Sequence, residues 1–315
     1  MRLPALLALL LGPLGALLGA QAPAALEQGA SAVRPTEHPF LWVVEGRTPS
    51  YLFGTIHIPD ERVTTLPDVV DEAIEGADAL YTELAMDGVT MGKAAAGFLL
   101  EDGRTLREVV PADLYARMRE YVESKGHSMA MFERMKPWAA ATQLALLDYL
   151  EAMMKKAPLD MALYARARDA GKEVGGLETV EEQLGVFEHL TDDEQVAFLE
   201  LSLEDVVEAE KEGESAIEQL VQVYLAGDED ALAEEMKAWV GEESPLMREL
   251  ERALIVDRNV RMAARIAEKV EQDPHTSFVF AVGAAHFPGK YGIVNLLEAE
   301  GLEVERIGSP EPSSP

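Results

Sequence analysis

The 315-residue chain contains no cysteine. Disulfides, thiol nucleophiles and thiolate metal sites are therefore all excluded. Basic residues are also scarce: 27 Lys and Arg against 57 Asp and Glu give a formal charge of -30. Such a polyanion repels nucleic acid and anionic membrane surfaces, which excludes a nucleic-acid role. The same field draws metal cations and basic peptides, although a solvated acidic surface that keeps the chain soluble is the plainer reading. Beyond the N-terminus no uninterrupted apolar run reaches the ~18 residues needed to span a bilayer. No solenoid-type repeat recurs.

What is there begins with MRLPALLALLLGPLGALLGAQAPAA, one basic residue followed by a leucine-rich stretch and then small residues. This is the order of a secretory signal peptide, placed at residues 1–22, with Ala20-Gln21-Ala22 as the small-x-small cleavage pattern. Pro23 is a poor residue after a cut, so cleavage slightly to either side and an uncleaved anchor are the alternatives. No cysteine follows, which excludes a lipoprotein anchor. The expectation is an exported protein, periplasmic or extracellular. A polar linker (23–38) leads into a single domain (39–307), and GSPEPSSP (308–315) reads as a disordered tail. With 48% hydrophobic residues the domain can bury its own core without disulfides.

Phe40–Glu45 and Tyr51–Ile56 are apolar runs separated by Gly46-Arg47-Thr48-Pro49-Ser50, which predicts a hairpin. Leu66-Pro67-Asp68 opens a helix closed by Gly76, and Asp78–Leu84 (DALYTEL) is the next strand. From about 104 to 265 the periodicity is helical, with Phe132, Met135, Ala139, Leu146, Leu150 and Met153 as a core stripe. One extended piece, Lys172–Leu177, interrupts it. Strand character returns at Ser277–Val282, followed by a helix at Tyr291–Glu300 and a strand at Leu302–Ile307. The predicted class is α/β (α+β): a central sheet built from the N- and C-terminal portions, with a large helical insertion.

Two segments echo each other. YLFGTIHIP (51–59) and FVFAVGAAHFP (278–288) each run from an apolar strand through glycine and two small or apolar residues to histidine and proline. With 24 glycines and 6 histidines, two Gly-x-x-His matches are only mildly surprising, so the strand context carries the weight. Loops at the carboxyl ends of such strands are where ligands collect. Gly54 and Gly283 would let the chain leave the strand at unusual backbone angles and give a ligand close access, while His57 and His286 supply neutral nitrogens for metal or proton transfer. Glu83, the acidic residue inside DALYTEL, is costly to bury unless paired or metal-bound; its plainer reading is an ion pair with arginine. His57, His286 and Glu83 together have the ligand types of an open divalent-metal site, and could also activate water without metal. His38, His127, His189 and His275 read as surface or capping residues. Asp160 reads as a helix opener, Glu178 as a helix N-terminal charge, and Arg258 with Asn259 as solvated or as part of a structural ion pair.

The chain resembles the TraB/GumN family, related to the TIKI proteases and more distantly to erythromycin esterases. The resemblance runs from about Phe40 to Ile307 and rests on YLFGTIHIP, DALYTEL, MKPWAAATQL (135–144), PLDMALYARARDAGKEVGGLETVEEQL (158–184), DRNVRMA (257–263) and the C-terminal FVFAVGAAHFPGKYGIVNLLEAEGLEVERI. It implies a hydrolase-like site around His57, His286 and Glu83. By the same resemblance Asp160, Glu178, Gln183, Arg258 and Asn259 fall at positions kept polar, as groups that orient the site or touch substrate. The TIKI branch implies a divalent metal (Mn, Co or Zn), the esterase branch similar residues without one. Phe287-Pro288 departs from the family's usual leucine, which concerns the loop rather than the ligands. The leading expectation is an exported metal-dependent peptidase acting on a peptide or small molecule. The alternatives are a metal-independent esterase-like hydrolase and a non-catalytic protein holding a metal or haem in the same cleft.

Overall fold

The computed structural model describes residues 33–101, 103–213, 216–240 and 245–308; the leader, most of the linker and the tail beyond residue 308 lie outside them. Six strands, β1 (Leu41–Val44), β2 (Ser50–Thr55), β3 (Ala79–Leu84), β4 (Glu173–Glu178), β5 (Phe278–Gly283) and β6 (Val304–Ile307), form one mixed sheet in the order β4-β3-β5-β2-β1-β6. All six are the strands predicted from hydropathy. β1 and β2 make the expected antiparallel hairpin, and β6 adds antiparallel to β1. β5 inserts between β2 and β3, parallel to both, and β4 lies parallel to β3. The two end portions of the chain thus build five of the six strands, β4 coming from within the helical region, and the α/β class holds.

This topology follows from the strand sequences. β5 reads FVFAVG and all six residues are buried, the continuous apolar run a parallel strand needs when helices cover both faces. β3 is equally buried but contains Thr82 and Glu83. The helix Asp68–Gly76 buries Val70, Ala73 and Ile74 on the way from β2 to β3. The helices Leu159–Asp169 and Asp257–Gln272 pack beside β3 and β4. Because β2, β5, β3 and β4 run the same way, their carboxyl ends share one edge of the sheet. Residues 55–59, 83–84, 178–179 and 283–288 all arrive there.

The structure changes two local readings. The stripe from Phe132 to Met153 is core, as expected, but it spans several short elements: the 3-10 turn Met129–Met131, the helix Pro137–Ala145, the 3-10 turn Leu147–Tyr149 and the helix Leu150–Lys155. Pro137 stands at the start of its helix, where a missing N–H costs nothing and the preceding chain cannot be helical. Trp138 then stacks on Phe187 with ring centroids 4.5 Å apart, tying this helix to the helix Val180–Glu188.

The second correction concerns glycine. β2 does not break at Gly54 but continues through it to Thr55. Neither Gly54 nor Gly283 is among the described glycines with positive φ, and Gly283 has φ -51°. A Cβ at Gly54 would lie 2.6 Å from the Cβ of Phe40 and 3.3 Å from the Cα of Ala284. The requirement at Gly54 is therefore close approach, and what approaches includes the turn of the second Gly-x-x-His segment.

Candidate active site

His57 lies two residues beyond β2, Glu83 near the end of β3, and His286 in the 3-10 turn Ala284–His286 that follows β5. All three are buried, at 2%, 2% and 0% exposure. The Nε2 atoms of His57 and His286 each stand 3.7 Å from the same oxygen, Glu83 Oε1. That is beyond hydrogen-bond reach, and both Nε2 atoms are buried with no hydrogen-bond partner. Oε1 itself accepts the backbone N–H of Gly283 at 2.8 Å, so the glycine of the second motif helps to seat the strand carboxylate.

The far side of each imidazole is held differently. Nδ1 of His57 bonds the carboxylate of Asp160, whose other oxygen accepts the Thr55 hydroxyl at 2.5 Å. Asp160 sits in the first turn of the helix Leu159–Asp169, as its sequence context predicted, but is buried against the site. Nδ1 of His286 meets Asn259 Oδ1 at 2.5 Å. The Asn259 amide nitrogen donates to the carbonyls of His286 (3.1 Å) and Tyr291 (2.7 Å), which leaves its oxygen to face the ring. In both histidines Nδ1 is then the protonated nitrogen of the neutral ring, and the Nε2 lone pair points toward Glu83.

Glu83 Oε2 is committed to Arg258, whose Nη2 donates to it at 2.5 Å. The same guanidinium reaches Glu178 Oε2 from Nε (2.9 Å) and Nη2 (2.7 Å), and Gln183 Nε2 bridges Glu83 and Glu178 at 3.3 and 3.2 Å. Arg261, one turn along, bonds the other oxygen of Glu178 at 3.0 Å. Glu178 ends β4 rather than opening a helix. Arg258 and Asn259 are buried, so the solvated reading of this pair does not hold, and Arg258 is the arginine partner anticipated for Glu83.

The electrostatics are asymmetric. For His57, burial favours the neutral ring, but Asp160 and then Glu83 outweigh it and raise the pKa to about 10. Burial, then the Arg258 charge, lowers His286 to about 3. Burial would raise Glu83, yet Arg258 and the two imidazoles hold its carboxyl below the usual range. Buried Glu83 and Glu178 share the buried guanidinium of Arg258, while buried Asp160 bonds His57 and Thr55. Two imidazole Nε2 atoms and a carboxylate oxygen thus converge: His286 Nε2 carries a lone pair, while His57 Nε2 carries the second proton of a ring that is charged near neutral pH.

This donor set suits a divalent cation in type: ligands at roughly 2.0–2.2 Å from one ion stand about 3–4 Å from each other. Among the described residues no group of three or more His, Cys, Asp or Glu side chains is placed to hold a metal ion as it stands.

The structure therefore brings Gly283, Asp160, Glu178, Gln183, Arg258 and Asn259 into direct contact with the three central residues or with their partners, and packs Gly54 against Ala284 in the turn that carries His286. Thr55 and Arg261 join them without having been singled out from the sequence, although both lie inside quoted segments. Phe287, where the second motif departs from the usual leucine, stacks on Trp42 of β1 with centroids 4.3 Å apart and planes within 8°. His38 faces the Gly308 carbonyl and His189 caps a helix, as expected of peripheral histidines.

A family model described as TraB/PrgY/gumN matches residues 40–306. Among curated proteins, the chain is 28% identical over 319 residues to Metalloprotease TIKI2 of Danio rerio, covering 87% of this chain and 62% of that protein. It is 27% identical over 316 residues to Metalloprotease TIKI1 of Homo sapiens, covering 87% and 63%. An uncharacterized protein of Treponema pallidum is 24% identical over 273 residues, covering 83% and 80%. The chain spans about six tenths of the length of the TIKI relatives it matches. No solved structure matches it.

Proposed function

The chain belongs to the TraB/PrgY/gumN family, and on that footing we propose that it is a divalent-metal-dependent peptidase whose cation is held by His57 Nε2, His286 Nε2 and Glu83 Oε1. The observation that carries this reading is the pair of buried, unpartnered imidazole nitrogens facing one carboxylate oxygen. Relatives named metalloproteases give it support. When bound, a cation of this kind supplies Lewis acidity and makes water nucleophilic near neutral pH.

The protein's own residues prepare that chemistry. Asp160 and Asn259 fix the ring orientations and tautomers, the role that partners behind metal-bound histidines ordinarily play. Arg258 keeps Glu83 ionised and anchored through Oε2, leaving Oε1 to the site. Burial of all three central side chains excludes bulk water, which strengthens each electrostatic contact. The metal-independent alternative fits less well. Without a cation, His57 holds a proton at neutral pH, which leaves the buried His286, a weak base, to take one from water.

The leader-like N-terminus supports action outside the cytoplasm. Among the described residues no helix is long and apolar enough to cross a membrane. Metal analysis of purified protein beside His57→Ala and His286→Ala, with hydrolysis of a peptide library, tests the proposal. Expected are stoichiometric Mn, Co or Zn in the wild type and loss of metal and hydrolysis in both variants. A wild type that takes up no metal, or variants that hydrolyse peptides unimpaired, overturns it. Visible absorbance of the same sample tests the haem-binding alternative.

A further inference from the structure

One helix of the insertion grips the His57 segment on both sides. From the helix Ala216–Ala226, buried Tyr224 donates its hydroxyl to the carbonyl of Gly54 at 2.8 Å. Its ring stacks on Phe40 with centroids 5.6 Å apart, and Phe40 is the residue against which Gly54 is packed and whose carbonyl accepts the Gly54 N–H at 2.7 Å. Two turns earlier on the same helix, Glu218 takes both terminal nitrogens of Arg62 at 2.7 Å each. Arg62 also holds Asp60, the residue that caps the short helix Glu61–Thr64.

Gly54 precedes His57 by three residues and Arg62 follows it by five, so the backbone bearing the ring is pinned at both ends to a helix remote in sequence. Between them, Thr55 and His57 itself bond Asp160, and Thr55 pairs with Gly283 of β5. We infer that Tyr224 is a positioning residue for His57, setting where the end of β2 lies and hence where Nε2 stands relative to Glu83 and His286. The inference rests on the reading of His57 as a site residue. It gives the helical insertion a task at the site that its amphipathic sequence does not disclose.

Tyr224→Phe keeps the ring and its stacking and removes a single hydroxyl. Two readouts separate positioning from packing: the ε1 carbon–proton resonances of the histidines in metal-free protein, and Co2+ affinity by calorimetry. The expected result is a shifted or broadened His57 resonance with His286 unmoved, together with Co2+ affinity weaker by roughly tenfold, the low end for loss of a contact behind a metal ligand. An unchanged His57 resonance overturns the inference, as does equal displacement of both rings with a lowered melting temperature. If the wild type takes up no Co2+, the metal reading fails while the ring resonances still decide the role of Tyr224. Should Tyr224→Phe fail to fold, Arg62→Gln at the other end of the grip, which is partly exposed, serves instead. A His57-selective shift is expected there too, and its absence overturns the inference.

Discussion

Asp160 binds the Nδ1 of His57 inside the protein, with both side chains only 2% exposed. The contact makes His57 a stronger donor than His286, whose Nδ1 faces the neutral amide of Asn259. Asp160→Asn keeps the shape and removes the charge. Co2+ affinity is expected to fall about 10- to 100-fold, the usual effect of losing a carboxylate behind a metal-binding histidine. Asn259→Ala, which removes the neutral acceptor behind His286 together with the amide's bonds to the His286 and Tyr291 carbonyls, should show a smaller loss of Co2+ affinity and a lower melting temperature. Calorimetric titration of the two variants checks the ranking.

Arg258 compensates two buried carboxylates at once, Glu83 at 2.5 Å and Glu178 at 2.7 Å. Replacing it with leucine leaves both without their shared partner in a low-dielectric interior. Breaking a buried ion pair from one side costs about 3–5 kcal/mol, so Arg258→Leu should lower unfolding free energy by roughly that amount in urea titration. Adding Glu83→Gln to Arg258→Leu should recover part of the loss, because Glu178 keeps Arg261 and Glu83 is the carboxylate left without a guanidinium. A double variant less stable than the single one would show that Arg258 acts chiefly through other contacts.

The strands and the three central residues were legible in the sequence for a physical reason. Strand hydropathy records burial on both faces, and a lone Glu83 or a histidine just past such a run breaks that pattern visibly. The partners were harder. Asp160 lies 103 positions from His57 and reads as an ordinary helix-opening residue, since hydropathy says that a face is buried but not what it meets. Arg258 sits in a helix rich in charge, where solvation is the plainer expectation, and its burial becomes intelligible only once Glu83 and Glu178 are placed beside it. Thr55 carries no signal in the sequence, because a threonine in a strand needs no explanation. The role of Gly54 is hidden for a related reason: tight packing between distant segments leaves no mark that distinguishes it from a glycine needed for backbone freedom.

The two histidines predict opposite pH limbs for metal-free protein. His286 has a folded pKa lowered from 6.5 to about 3, so between these values the unfolded chain takes a proton that the folded ring refuses, and stability falls as pH falls. His57 is raised from 6.5 to about 10; its contribution is full below 6.5 and is lost as pH rises toward 10. Glu83, lowered from 4.5, adds to the acid limb below that pH. Urea midpoints should therefore peak near pH 6.5. His286→Asn should flatten the limb between 6.5 and 4.5, where carboxyls titrate little, and His57→Asn the alkaline limb. Because a bound cation displaces the His57 proton, Co2+ affinity should also rise with pH up to about 10.

Gly54 is where the two histidine segments touch, which makes it a sharper probe of the site than either motif alone. Its missing side chain leaves room for the Cβ of Phe40 and for Ala284, the residue after Gly283; an added methyl would meet them at 2.6 and 3.3 Å. Neither neighbour yields easily: the Phe40 ring stacks on Tyr224, and Ala284 belongs to the tight turn that carries His286. Gly54→Ala should cost about 1–3 kcal/mol of stability, as overpacking of a tight core does. Relief of the overlap has to move β2 away from the β5 turn, separating His57 from His286. Co2+ binding is therefore expected to fall by more than tenfold at temperatures where the variant is still folded by circular dichroism. A variant that loses stability but binds Co2+ like the wild type would show that the histidine loops adjust independently of the strands that bear them.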